Sequence, residues 1–345
     1  MISEKQILEI REHLEKAQNP VFFYDNDADG LCSYILLRRY VGRGKGVCIR
    51  SHTDIDEGYA RKAQELNADY VFVLDRPHLG NGFVEEISKL QLPIVWIDHH
   101  DGKDIYNYKD LFVYNPLNGS PSTSEPVVYW SYKIANRTED IWIAIMGCIA
   151  DHHMPDFATE FSERYPEYWG KDLEEPFDAY YGTEIGKLAR AIGYGLKDSI
   201  THVVQMQNFL ISCRTPSDVE QELEATRAFG KKYRELSEKY NLLLEKAKKC
   251  ESEKMVFFNY GGDMSISAEI SNELSHLYSG KIIVVAYSAG PLTNISLRGD
   301  NVKGILEKVL SKLENASGGG HRDAVGSRIR TEDLEKFKTE VEKLI

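Results

Sequence analysis

The chain of 345 residues contains no run of about 18 apolar residues, the length a helix needs to span a bilayer. A mean hydropathy of −0.41 agrees with that, so a membrane-spanning helix is excluded. Cysteine is scarce: Cys32, Cys48, Cys148, Cys213 and Cys250 are odd in number, far apart and without a CxxC pair. They make no disulfide framework, and buried thiols in a reduced, cytoplasmic setting are the expectation. Glycine and proline, 26 and 11 residues, are too few for a collagen-like or wholly disordered chain. The first residues lack the basic start and apolar stretch of an export signal. They read as an amphipathic helix with Ile7, Leu8, Ile10 and Leu14 turned inward. Positive charge is short as well: 42 Lys and Arg against 54 Asp and Glu leave a net charge of −12. That excludes a passive basic coat for nucleic acid, though not a nuclease. From Lys254 onward 12 basic residues balance 12 acidic ones, so residues 1–253 carry the whole excess.

What is present is an alternation of strands and helices, without a repeat of fixed period. Apolar runs at Val21 to Tyr24, Tyr70 to Leu74 and Pro93 to Ile97 predict buried parallel strands, with helices between them at Leu31 to Tyr40 and Phe83 to Leu90. Each run is followed by an aspartate: Asp25, Asp75 and Asp98. Open α/β sheets bind ligands at the carboxyl ends of their strands, so these three acids share one rim. Within about 155–186, Phe157, Phe161, Tyr165, Tyr168, Trp169, Phe177, Tyr180 and Tyr181 sit among many acids. This insert suits packing, a lid or a subunit contact better than phosphate binding. One charged helix, about Val219 to Lys249, follows, its apolar stripe formed by Phe229, Tyr233, Leu236, Tyr240, Leu243 and Ala247. From Met255 a second α/β pattern begins: strands at Met255 to Tyr260, Lys281 to Tyr287, Leu292 to Leu297 and Ala324 to Ile329, helices at Ala268 to Tyr278 and Val302 to Glu314, and a last helix. The expected organisation is α/β throughout. A first domain at 1–216 carries a mainly parallel sheet flanked by helices, a linker helix occupies 217–253, and a smaller α/β domain occupies 254–345. The active site is expected in the cleft between the domains.

Chemistry concentrates at Asp25-Asn26-Asp27-Ala28-Asp29-Gly30, three carboxylates within five residues directly after a strand. A calcium loop of the EF-hand type would need Glu at its twelfth position, which is Leu36, and a helix rather than a strand before it. Carboxylates this close raise one another's pKa, and a divalent cation is the natural way to keep them ionised. Asp98-His99-His100 adds imidazole nitrogen beside carboxylate oxygen, and Asp151-His152-His153 repeats the theme after an apolar run. Asp25, Asp27, Asp29, Asp75, His99, His100 and Asp151 are too many ligands for one ion and enough for two. Two ions about 3.5 to 4 Å apart form the usual clamp for phosphoester hydrolysis. Oxygen-rich ligation favours magnesium or manganese, and the histidines tilt the choice to manganese. Downstream, Ser317-Gly318-Gly319-Gly320-His321 reads as a flexible loop whose amides can cradle a phosphate, with Arg322 and Arg328 beyond, and Ser296-Leu297-Arg298 offers a bidentate phosphate contact.

These residues resemble the DHH phosphoesterases that carry a C-terminal DHHA1 domain. DNDADG is similar to the first motif of that family, VFVLD ending at Asp75 to the second, VWIDHH at residues 95–100 to the third, and MGCIAD ending at Asp151 to the fourth. ISLRGD around Arg298 and SGGGH match the DHHA1 elements. The resemblance implies two manganese ions, with magnesium as a substitute, on Asp25, Asp27, Asp29, Asp75, His99 and Asp151, with Asp75 bridging. It places His100 by the scissile phosphate with Asp98 orienting it, and puts Ser296, Arg298, Gly318, Gly319, Gly320 and His321 on the nucleotide. Asp25 points to the RecJ-like branch, because oligoribonuclease and pAp-phosphatase relatives typically use an upstream histidine. Compact archaeal members, including the Hef-associated nuclease, are of this size. The implied activity is a 3′ to 5′ exonuclease on single-stranded DNA or RNA, acting as a homo-oligomer, with a repair helicase as partner. A phosphodiesterase for short oligonucleotides, pAp or cyclic dinucleotides and an inactive scaffold subunit are the rival readings. The sequence departs from the family pattern at Arg76-Pro77, where His or Asn is common after the second motif, and at Asp101. His152 and His153 lie outside the motifs and are expected to be supporting or structural.

Overall fold

The computed structural model describes residues 1–50, 55–102, 106–170, 173, 175–225 and 227–345. They form two compact units, Met1–Tyr233 and Arg234–Ile345. In the first, strands β1 (Pro20–Asp25), β2 (Lys45–Ile49), β3 (Tyr70–Leu74), β4 (Ile94–Ile97) and β5 (Leu111–Tyr114) make a parallel sheet in the order β2-β1-β3-β4-β5. Helices α1 (Glu4–Lys16), α2 (Ala28–Val41), α3 (Glu57–Glu65), α4 (Asn81–Lys89), α5 (Val127–Ala135) and α6 (Ile141–Ala150) accompany the strands. They are followed by α7 (Ala158–Arg164), α8 (Pro166–Trp169), α9 (Pro176–Gly182), α10 (Glu184–Leu196), α11 (Ile200–Ser212) and α12 (Pro216–Glu224).

The central strands read as continuous apolar runs because both faces of the sheet are covered. Phe22, Tyr24, Phe72, Leu74, Val95 and Ile97 face the larger core with residues of α2, α5, α6 and α10. Val21, Phe23, Val71, Val73, Ile94 and Trp96 face the other way, onto Ala60 and Ala63 of α3 and Phe83 and Ile87 of α4. β2 and β5 escape sequence detection because, as edge strands, they are largely half-buried or exposed. Since β1 lies between β2 and β3, the connections after β1 and β3 leave in opposite directions. A crevice opens at the carboxyl ends of these two strands. Asp25 and Asp75 stand there.

Three expectations need correction. Leu8 is 56% exposed, because Ile10 and Leu14, with half-buried Ile7, already fill the inward stripe of α1 at helical spacing. The single helix expected from Val219 to Lys249 is two, α12 and α13 (Ala228–Lys248). Ala225 turns extended at the end of α12, and a Cβ on Gly230 would sit 2.7 Å from the carbonyl oxygens of Glu222, Leu223 and Ala225, so the second helix begins hard against the end of the first. The SGGGH segment is a strand, not a loop, as described next.

In the second unit β6 (Met255–Gly261), β7 (Ile282–Ala289), β8 (Leu292–Arg298), β9 (Ser317–His321) and β10 (Ala324–Arg330) are ordered β6-β7-β8-β10-β9, antiparallel except for the β6–β7 pair. Val284, Ala286, Ile295, Leu297, Val325 and Ile329 pack on α15 (Val302–Leu310) and α16 (Leu334–Glu342), and α14 (Ser267–Leu277) lies against β7 and β8. Glycine runs carry no strand signature of their own; the ladder with β10 imposes one on Ser317–His321.

The aromatic insert is mostly packing: Phe157, Phe161, Tyr168 and Trp169 are buried in the larger core, while residues 171, 172 and 174 lie outside the described residues. Phe72, fully buried on β3 and stacked on Phe22 at 4.9 Å, is a direct test of the layered core. Phe72→Ala should lower the stability of the first unit by about 3–5 kcal/mol. The measurement is the urea midpoint followed by tryptophan fluorescence, since Trp96, Trp130, Trp142 and Trp169 all belong to this unit.

Candidate metal centre

Each acid on the rim is set by local backbone chemistry. β1 ends at Asp25, and Asp27 caps α2, its Oδ1 accepting from the Gly30 amide at 2.9 Å. Gly30 has to lack a side chain, because a Cβ would lie 2.6 Å from the Asp25 carbonyl oxygen. Asp29, 2% exposed, accepts from the Val127 amide at 2.9 Å, the Val128 amide at 2.6 Å and Ser33 Oγ at 3.2 Å. The start of α5 therefore points its free N–H groups at this carboxylate. Asp75 follows β3 with φ at +61°, a left-handed conformation uncommon outside glycine, and its amide makes the ladder bond to Ile97. Asp151 caps the end of α6.

The two histidines after β4 divide the work. His99 turns Nε2 toward the acids, 3.5 Å from Asp75, 3.8 Å from Asp151 and 3.9 Å from Asp29, with Nδ1 3.4 Å from the Ser124 carbonyl oxygen. His100 is held by buried Asp98, which accepts from its backbone N–H and ring Nδ1, both at 2.9 Å. Asn115 adds a hydrogen bond from Nδ2 to the His100 carbonyl at 2.9 Å, a support that the sequence reading missed. His152 and His153 turn to other rings: His152 stacks on Phe177 at 4.1 Å and His153 meets Tyr129 edge-on at 5.5 Å.

Ligand atoms of Asp75, His99 and His100, of Asp29, His99 and Asp151, and of Asp25, Asp27 and Asp75 each lie within 4.8 Å of one another. The fold thus gathers all seven residues expected from the sequence. Asp75 Oδ1 is buried with no hydrogen-bond partner among the described residues, an arrangement that costs free energy unless a cation faces it. The donor set of carboxylate oxygen with imidazole nitrogen fits a divalent ion. Burial, reinforced by the surrounding carboxylates, drives Asp75 and Asp151 well above the usual carboxylate range. Asp27 has solvent on one side, yet burial of its carboxyl among Asp25 and Asp29 pushes it up to about 7. Asp29 is raised by burial against the opposing pull of His99 and the α5 amides. For His100 burial lowers the pKa, but the Asp98 hydrogen bond and charge outweigh it and the net shift is upward.

Among the described residues, one arginine enters this acidic rim. Arg76, 7% exposed, donates from Nη1 to Asp25 Oδ1 at 2.7 Å, and its carbonyl accepts from Trp96 Nε1 at 2.8 Å. The departure from the motif pattern at position 76 was its only sequence signal.

The second unit arranges the remaining candidates by strand register. Ser296, Gly326 and Gly319 are paired across β8, β10 and β9, and Arg298, Ala324 and His321 form the next such row. These rows share one face of the sheet, whereas Gly318 and Gly320 alternate to the other. Gly326 is an addition that the sequence reading overlooked. Ser296 Oγ is 3.1 Å from Ser267 Oγ, and Arg298 is tied by Nε to Asn272 at 2.6 Å and by Nη1 to the Leu297 carbonyl at 2.8 Å. The side chain of His321 lies outside the described part of the structure.

The profile of the DHH family, N-terminal domain, matches residues 21–150, and that of the DHHA1 domain matches residues 252–345. No curated protein sequence matches the chain. Among solved structures, RecJ from Thermus thermophilus in complex with Mn2+ is similar with a TM-score of 0.64 and 12% identity, over 98% of this chain and 53% of that one. An exonuclease RecJ bound to manganese gives 0.59 and 14%, over 100% and 94%. The DHH domain of a member of the s1p family of ribosomal proteins gives 0.67 and 15%, over 98% and 89%. At these identities the likeness is one of fold, and the chain spans about half the length of the Thermus protein. Among the described residues no helix is long and apolar enough to cross a membrane.

The raised carboxylates set a pH dependence. Without metal, the folded state holds protons that the unfolded state has already released, so the cluster costs increasing stability as pH climbs from the ordinary carboxylate range near 3.8 through about 7. A divalent ion relieves that repulsion. The rise in the unfolding temperature of EDTA-stripped protein on adding manganese should be larger at about pH 7.5 than at about pH 5.5; equal shifts at both would contradict the assignment.

Proposed function

Since the chain belongs to the DHH/DHHA1 family, we propose that it is a metal-dependent phosphodiesterase of the RecJ-like branch, releasing 5′-mononucleotides from single-stranded DNA or RNA from the 3′ end. The observation that carries this reading is the convergence of Asp25, Asp27, Asp29, Asp75, His99 and Asp151 on the carboxyl edge of the parallel sheet, around a buried Asp75 oxygen that no hydrogen bond among the described residues satisfies. These six are the groups that would hold manganese, or magnesium in its place. When bound, the metal supplies an activated water and neutralises charge on the phosphate.

The remaining roles belong to the chain itself. Asp98 accepts from His100 Nδ1 and fixes the ring, which leaves Nε2 to serve a phosphate oxygen or the leaving group. His99 keeps its Nδ1 at the Ser124 carbonyl and offers Nε2 to the centre. In the second unit, exposed Gly319 and Gly326 are bare of side chains, so a nucleotide backbone can approach closely there, beside Ser296, which is buried against Ser267. Arg298, held by Asn272, provides a fixed positive edge beside it, and Gly318, Gly320 and His321 complete the strand that would hold the nucleotide. The same reading extends to homo-oligomeric assembly, a helicase partner, and a role in DNA repair or nucleic-acid turnover in the cytoplasm.

A second reading, hydrolysis of short oligonucleotides, pAp or cyclic dinucleotides, is favoured by one observation. Residues 1–253 carry the full net charge of −12, whereas long single strands are tracked by basic grooves. Digestion of 3′-labelled and 5′-labelled 20-mers, as DNA and RNA, beside a dinucleotide and pAp, with manganese or EDTA, separates the two. Mononucleotide release from the 20-mers supports the exonuclease and reports its polarity. Turnover of the small substrates alone moves the chain to the second reading. Asp75→Asn should lower turnover by more than about 100-fold, since loss of even a supporting partner of a metal ligand costs about 10–100-fold; Asp98→Ala should fall within that lesser range. Full activity of Asp75→Asn would overturn the metal assignment.

A further inference from the structure

We infer that Arg76 is a built-in cation of this centre, holding Asp25 so that one divalent ion binds tightly to the other acids while the corner formed by Asp25, Asp27 and Asp75 admits a second ion only weakly. The inference rests on the metal-dependent reading proposed above and deepens it by making the two ion positions unequal.

Arg76 is placed by the backbone of its neighbour. The left-handed turn at Asp75 redirects the chain as it leaves β3, and the Trp96 indole anchors the Arg76 carbonyl at 2.8 Å. The side chain that follows reaches the end of β1 and meets Asp25 at 2.7 Å, although 51 residues separate the two in sequence. Arg76 is 7% exposed, so its guanidinium is sheltered from water on its own side of the pair, while the Asp25 side chain is 29% exposed. The three ligand groups therefore differ. Asp25 belongs only to the one it forms with Asp27 and Asp75, and that oxygen-only group is the one Arg76 enters. An ion there shares a carboxylate with a fixed positive charge and is repelled by it. Asp29, His99 and Asp151, and Asp75 with His99 and His100, make the imidazole-containing sites, and neither of these includes Asp25, the carboxylate that Arg76 engages.

The test is a manganese titration of the full chain, stripped with EDTA and dialysed, comparing the wild type with Arg76→Gln and Arg76→Lys. Binding is read by the electron paramagnetic resonance signal of free manganese and by calorimetry, without any turnover assay. The wild type is expected to bind one ion tightly and a second at least tenfold more weakly. Arg76→Gln keeps a hydrogen-bond donor toward Asp25 but loses the charge, and should tighten the second ion at least tenfold, with spin-coupled manganese pairs appearing at lower metal concentration. Arg76→Lys keeps the charge and should retain the wild-type pattern. Tryptophan fluorescence confirms that the first unit of each variant is folded, and the wild-type isotherm alone remains decisive if one is not. Two ions of equal affinity in the wild type, or an unchanged second affinity in Arg76→Gln, would overturn the role of Arg76 while leaving the metal centre standing. No manganese binding to the wild type would instead remove the metal-dependent reading itself.

Discussion

Carboxylates gathered on one rim repel one another, and much of the first unit can be understood as the means of holding them together. Asp25 ends β1 and Asp75 follows β3, so the hydrogen-bond ladder of the parallel sheet places both at the crevice where the order of the strands reverses. Two helix N-termini are aimed at the same region. Asp27 caps α2, and the first amides of α5 bind both oxygens of Asp29. Partial positive charge at helix starts offsets part of the repulsion without any basic side chain. The rest remains as the upward pKa displacement of Asp27, Asp29, Asp75 and Asp151, a repulsion that a divalent ion would relieve.

Around this acidic core the two histidines and the one arginine distinguish its sides. Asp98 fixes His100, whose Nδ1 also lies 3.8 Å from Asp75, whereas Nε2 of His99 faces Asp29, Asp75 and Asp151 together. Arg76 is engaged with Asp25, the carboxylate that shares no ligand group with either histidine. The centre is therefore not symmetric: two ligand groups contain imidazole nitrogen, and the third contains the carboxylate that a guanidinium engages. That asymmetry follows from which strand each residue terminates, and it distinguishes this member of the DHH/DHHA1 family from a plain cluster of acids.

Much of this was legible in the sequence. β1, β3 and β4 are apolar on both faces and announce themselves as runs, and the aspartates that follow them fall on one rim as a matter of strand geometry. β2 and β5 stayed hidden because edge strands are half-exposed and lack that signature. Leu8 reads as inward when hydrophobicity alone is counted, without allowing that Ile10 and Leu14 already fill the stripe. The glycine run Gly318 to Gly320 looks like a loop for a related reason. Its strand character comes from the partner β10 and from no property of glycine itself.

The sequence by itself determined the α/β class, the chemical types of the side chains on the rim and their positions at strand ends. These rest on local quantities: the period of the apolar residues, the chemistry of the side chains, and the adjacency of an acid to a strand. Partnership was decided only by the tertiary structure. Asp29 meets an amide 98 residues away and Asp25 a guanidinium 51 residues away. Those contacts depend on strand order and on one left-handed backbone angle at Asp75, and electrostatic attraction acts through space between groups that the chain brings together only by folding.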